Sequence, residues 1–477
     1  MAQAAITDDI LFAGVRELAT LLREQKVTSV ALTEAYLERL DKLGSKLNAV
    51  TLVTRDLALK EARAADKEIK AGRYKGPLHG MPYGVKDLFA TKGLPTSWGA
   101  EPFKDQVSDH DATVIQRLRA AGAVLVAKLA MVELAGGFGY NTADASFTGP
   151  GRNPWNLAYW AGGSSSGPGA AVAAALVPFA IGSETSGSII TPAAYCGITG
   201  LRPTYGRISR HGAMALSWTL DKLGPMCRTA DDCGIVLAAL VGADPLDPSC
   251  ADKPFAYPES EKSPKKFRIG VLKGATQNAQ PEVRKNFLDS LKVLHQFADL
   301  EEGVELPDLP YSAAVGTIVD AEAASAFRDF IESGRSKELR APQDRWGGYA
   351  ASMVLAVDYL QAQRVRGQMK RALDEVYARY DALVAPARST VAYPVGIDFD
   401  KSYPNFGGGP PIIQAGNLSG QPALAVPNGF GLKDLPTGIQ FTGRVWSEAR
   451  LIAIAHAYQQ ATAWHKKRPP FGVTASS

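Results

Sequence analysis

Apolar residues recur at helical spacing near the start of the chain. Val15, Leu18, Leu21 and Leu22 form one stripe and Leu32, Tyr36, Leu37 and Leu40 the next, so residues 15–71 read as packing helices. A helix starting at Asp111 turns Val114, Ile115 and Leu118 inward, Gly122 ends it, and the unbroken apolar run 123–127 reads as a buried strand. The same step recurs after Gly163, where a Gly/Ser loop opens a helix of small residues over 170–177 and residues 179–182 follow as a strand. Helix and strand periods alternating in this way predict an α/β fold.

The pattern changes after residue 252. A stretch rich in Pro, Ser and Lys over 252–266 reads as a linker, residues 268–272 restart the strand pattern, and a largely helical segment runs to about Tyr380. Residues 404–411, with three consecutive glycines between prolines, read as a mobile loop. A last helix is expected over 447–464.

Composition narrows the function classes. With 52 basic and 48 acidic residues in 477, the net charge of +4 gives no sign of a polyanionic partner. Lys265-Lys266 and residues 465–468 are short basic runs that read as solvated surface. Cys196, Cys227, Cys233 and Cys250 show no CxxC spacing, which fits a reduced compartment, and the six histidines form no metal-binding pair. No metal and no cofactor is expected. Asp8 and Asp9 interrupt the N-terminus where a signal peptide would be apolar, and the longest apolar stretch, 170–180, falls short of a membrane span. A cytoplasmic, membrane-free protein is the expectation.

Three segments concentrate the chemistry: Gly84-Val85-Lys86-Asp87, Gly162-Gly163-Ser164-Ser165-Ser166-Gly167 and Gly182-Ser183-Glu184-Thr185-Ser186-Gly187-Ser188. Glycine lets backbone N–H groups converge on one anion. A serine hydroxyl needs a base to become a nucleophile, and no histidine lies in these segments. A lysine serves if burial leaves its amine neutral, and Lys86, between apolar Val85 and Leu88, is the candidate.

These segments resemble the amidase signature family. The resemblance extends over residues 76–87, 153–156, 192–207, 417–423 and 435–440. It implies one amidase domain over 1–477, a large mixed twisted sheet covered on both faces by helices, with a variable insert at about 252–416 shaping the substrate pocket. It further implies that Lys86 is the base, Ser164 a relay serine preceded by a cis peptide bond, and Ser188 the nucleophile. The backbone N–H groups of Thr185, Ser186, Gly187 and Ser188 would hold the oxyanion, each such donor contributing ~3 kcal/mol to the transition state. Ala135, Gly136 and Gly137 match the stretch where relatives contact substrate, and Trp218 and Phe406 are candidates for the pocket wall. Ser165 and Ser166 read as loop or helix-capping serines.

The chain departs from the family pattern at four positions. Ser166 and Ser186 stand where Gly is usual, Glu184 where Asp is usual, and Ile190 where Arg is usual. The Asp–Arg pairing behind the nucleophile turn is therefore expected to be missing, and Ile190 to present an apolar pocket wall.

The expected activity is cleavage of a carbon–nitrogen bond in an amide-like substrate, with carbamates or esters within reach, through a Ser188 acyl-enzyme. The alternative is the amidase subunit of a tRNA-dependent amidotransferase. A phosphate-binding Gly-rich loop is weaker, because Pro168 follows Gly167 where a P-loop needs lysine. Retention of all three catalytic residues speaks against an inactive scaffold. The partner expected is a small amide-like molecule, with no nucleic acid and no membrane, and with room for a homodimer.

Overall fold

A computed structural model describes residues 5–257 and 266–471. Part of the expected linker, residues 258–265, lies outside the described residues. Among those described, eleven strands form one mixed sheet, in the order Val50–Val53, Val124–Leu129, Pro82–Lys86, Phe179–Glu184, Lys222–Cys227, Thr199–Arg202, Ala423–Phe430, Pro436–Thr442, Ala382–Pro386, Phe267–Leu272, Ala298–Val304. Helices cover both faces, as the α/β alternation predicts.

The strands alternate between two apolar cores. Leu125, Phe179, Ile181, Leu424 and Val426 enter one, while Val124, Val126, Ala180, Ala423 and Ala425 enter the other. Successive strand side chains point to opposite faces, so each strand serves both layers. The first predicted stripe holds: Val15, Leu18 and Leu22 are buried in the helix Val15–Arg23. Two helices follow it, Ser29–Leu43 and Arg55–Lys70, and the strand Val50–Val53 between them escaped the helical reading. Its four residues are too few to interrupt a 3.6 period visibly.

The small-residue helix runs over Ser166–Ala173, earlier than the predicted 170–177. Pro168 sits in its first turn, where the missing N–H has no intrahelical acceptor anyway. Ala175, at φ 52°, ends the run. The segment after residue 266 is not simply helical, since three of its strands extend the main sheet at one edge.

Candidate active site

Two parallel neighbouring strands bring the chemistry together. Pro82–Lys86 pairs with Phe179–Glu184 in the register Val85↔Ile181, so both carboxyl ends emerge at the same edge of the sheet. That edge is where open α/β sheets commonly place their sites. Lys86 closes one strand, and the turn of residues 185–188 follows the other.

Lys86 is fully buried, with Nζ 2.7 Å from Ser164 Oγ and 2.9 Å from Ser183 Oγ. Burial pulls its pKa from 10.5 down to about 7, against the opposing pull of Asp221 and then Glu184. A large fraction of the amine is therefore neutral near pH 7, able to take a proton from the hydroxyl beside it. Asp87 anchors the segment from below: it pairs with buried Lys128 at 3.1 Å and accepts from the Ser97 N–H at 3.0 Å.

The Gly163–Ser164 peptide is cis, as the resemblance implies. Ser165 ties this loop to its surroundings rather than capping the helix: its Oγ donates to the Ser183 carbonyl at 3.1 Å, and its N–H donates to the Ser188 carbonyl at 3.3 Å. The loop carrying Ser164 thus lies against the turn carrying half-buried Ser188. The structure contains the Lys86–Ser164 hydrogen bond, while among the described residues none joins the Ser164 and Ser188 hydroxyls. Catalytic hydrogen bonds of this type commonly tighten when substrate binds.

Glu184 organises the turn. Its Oε2 accepts from the N–H groups of Ile189 at 2.8 Å and Ile190 at 3.0 Å, the start of the helix Ile190–Cys196. Its Oε1 accepts from Arg202 at 2.8 Å and Asn417 at 2.9 Å. Burial would raise this carboxyl, but the Arg202 charge and these hydrogen bonds hold it at about 2. Gly187, at φ 94°, makes the reversal before Ser188. Among the described residues, the N–H groups of Thr185, Ser186, Gly187 and Ser188 have no backbone acceptor in the turn, which leaves them available to an oxyanion.

The carboxylate–arginine pair expected to be missing is therefore present, supplied by Arg202 from the strand Thr199–Arg202. Ile190 is buried in the core instead of lining the cavity in front of Ser188. That cavity, about 390 Å³, is lined by Ser188, Thr185 and Ser186 on one side and by Ala135 and Gly136 on another. Gly137 faces Leu216 and lies outside the lining. Trp218 borders an adjoining cavity of about 200 Å³, while Phe406 borders neither. Sequence reasoning missed the aromatic wall of Tyr140, Trp160, Tyr393 and Phe399 and the cation Arg388 beside it. Only their aromatic and basic character was there as a signal.

A family model described as Amidase matches residues 31–452. The chain belongs to the amidase signature family. This amidase is 37% identical over 484 residues to one of the subunits of glutamyl-tRNA(Gln) amidotransferase from Acinetobacter baumannii strain AYE, covering 95% of this chain and 97% of the relative. Its fold matches native peptide amidase from Stenotrophomonas maltophilia with a TM-score of 0.83 at 31% identity, over 97% of this chain and 99% of that one. It also matches a chain of a vestigial protein complex bearing on the origins of an s-triazine catabolic enzyme, with a TM-score of 0.86 at 31% identity, over 94% and 99%.

These likenesses correct the expected partners. The absence of nucleic acid was read from charge and a small amide-like molecule from the resemblance, yet a relative matching almost the whole chain is by name one component of an enzyme of glutamyl-tRNA. A net charge of +4 averages the entire surface and carries no information about a local contact or about the contacts of other subunits. Among the described residues, no helix is long and apolar enough to cross a membrane, and no cluster of side chains could hold a metal ion.

Proposed function

We propose that this amidase cleaves a carboxamide through an acyl-enzyme on Ser188, as the amidase subunit of a tRNA-dependent amidotransferase. The chemistry rests on one observation: a buried lysine with its pKa lowered to about 7 lies 2.7 Å from Ser164, next to the turn of Ser188. Ser188 Oγ bonds to the amide carbon as its proton passes to Ser164, whose own proton passes to neutral Lys86. The carbonyl electrons move to oxygen, facing the N–H groups of residues 185–188. Collapse breaks the C–N bond, the proton on Lys86 returns through Ser164 to the departing nitrogen, and water then releases the acyl group.

The subunit role is supported by the 37% identity over nearly the full length of both chains. A free amidase is the second reading, favoured by the 31% identity with a peptide amidase. Ammonia release by the purified chain from glutamine and from simple amides, with and without glutamyl-tRNA and partner subunits, separates the two. An amidotransferase component is stimulated about tenfold or more by its assembly. A free amidase works alone at full rate, and full activity in Ser188→Ala would sink the chemistry common to both.

A further inference from the structure

The cavity in front of Ser188 contains a cation that the reaction above does not use. Arg388 lies two residues beyond the strand Ala382–Pro386 and lines both this cavity and a second one of about 290 Å³. The second cavity is bounded by the loop 407–411 and by Gln440. Arg388 is half-buried, its Nε has no hydrogen-bond partner, and its guanidinium is hydrogen-bonded to two phenols, Tyr195 and Tyr393, while no ion pair joins it to a carboxylate among the described residues. Elsewhere in the fold Arg202, Arg207 and Arg210 each have a carboxylate within 3.3 Å. A half-buried guanidinium that lines a cavity and has no anion beside it lacks the partner that normally offsets its partial desolvation.

The surroundings define what that anion is attached to. Trp160 and Phe399 stack with centroids 4.7 Å apart, Tyr393 lies 4.9 Å from Phe399, and Tyr140 meets Phe399 edge-on at 5.8 Å. Trp160 Nε1 is a second buried donor without an acceptor. An apolar or flat body fits such a wall. Among the described residues, no lysine and no second arginine lines either cavity. One planar fork with one charge suits a carboxylate better than a phosphate dianion.

We propose that Arg388 is a specificity-determining residue that binds a carboxylate on the substrate, so that the preferred substrates are amides bearing a carboxylate beyond an apolar spacer. This rests on the reading that cleavage occurs at Ser188. The test uses two 4-nitroanilides of equal chain length, the monoanilide of succinic acid and the anilide of butyric acid. Wild type, Arg388→Gln and Arg388→Lys are compared by the ratio of kcat/KM for the two substrates. Wild type favours the carboxylate by about tenfold or more, chiefly in KM; the ratio collapses to about one in Arg388→Gln and is partly kept in Arg388→Lys. A wild-type ratio of one or less, or a ratio unchanged in Arg388→Gln, overturns the proposal.

Calorimetric binding of the same two anilides to Ser188→Ala, with and without Arg388→Gln, gives an answer independent of turnover. Tighter binding of the succinyl compound that disappears with Arg388→Gln, in an enzyme that cleaves neither anilide, would keep the anchor while the cleavage chemistry fails. Equal binding of the two compounds removes the anchor whatever the turnover. Should Arg388→Gln not fold, the wild-type preference and its change in Arg388→Lys decide.

Discussion

The pH dependence of turnover reports the Lys86 amine. With its pKa lowered by burial to about 7, roughly 1% of Lys86 is neutral at pH 5, half at pH 7 and about 90% at pH 8. On an uncharged amide, kcat/KM therefore rises about tenfold per pH unit below pH 6 and levels above pH 8, a gain of about 90-fold between pH 5 and 8. Asp221→Asn is the informative perturbation. Asp221 is the larger of the two charges that hold the lysine pKa up, and it accepts from Thr185 Oγ1 at 2.6 Å, a bond that asparagine can keep without the charge. The variant should move the limb toward acid. Steady-state kinetics at constant ionic strength from pH 4.5 to 10 on both enzymes measure this. A flat or falling profile, or a limb displaced toward alkali by Asp221→Asn, refutes the lysine as base. Stability carries the same signature. The native amine releases its proton at about 7 and the unfolded one near 10.5, so the unfolded chain binds more protons between those values. Stability accordingly rises with pH across that window, by up to roughly 5 kcal/mol, and Lys86→Met should show a flatter profile in urea unfolding.

Ser188→Ala should lower kcat by about 10³-fold or more while leaving the circular dichroism spectrum intact; turnover near wild type would remove Ser188 from the chemistry. Gly167→Ala places a Cβ 2.5 Å from the N and O atoms of Ala130 and 2.6 Å from the Ala49 carbonyl, all backbone. It should cost about 1–3 kcal/mol in urea unfolding and reduce activity by shifting the loop of Ser164, and an unaffected midpoint would contradict that contact. Glu184→Gln leaves Arg202 buried and uncompensated and should cost about 3–5 kcal/mol at pH 7. Because Glu184 is held at about 2, below its ordinary 4.5, the stability it contributes is present above pH 4.5 and lost as pH falls toward 2. The gap between variant and wild type in a pH-resolved unfolding series should close over that range, and a gap that persists there counts against the pairing.

Local features of the site were legible because they are written in contiguous residues. The lysine segment, the two Gly/Ser segments and the strand Phe179–Glu184 each fall within a dozen residues, and the recurring helix-to-strand step placed the strand to within two positions. What could not be read is what the sheet assembles from distant parts. Arg202 comes 18 residues after Glu184 on a different strand and pairs with it where Ile190 cannot, so position 190 alone did not reveal that the carboxylate has an arginine partner. The aromatic wall joins Tyr140 and Trp160 to Tyr393 and Phe399, more than 200 residues apart, and no periodicity connects them. Net charge misled on partners for a related reason, being a sum that discards position.

The Glu184–Arg202 pair does more than brace the turn. By accepting from Ile189 and Ile190, the carboxylate takes the N–H groups nearest the helix start, while those of residues 185–188 keep no backbone acceptor. Glu184 is the smaller of the two anions that favour protonated Lys86, after Asp221. The guanidinium of Arg202 lies 2.8 Å from Glu184 Oε1, and at the lysine burial outweighs the pull of both anions. A carboxylate can thus order the turn before Ser188 while burial keeps the lysine pKa low, its counter-charge arriving from a separate strand that leaves the N–H groups of residues 185–188 without a backbone acceptor. The arginine need not follow the nucleophile in sequence for this to work; it needs only to reach the same carboxylate.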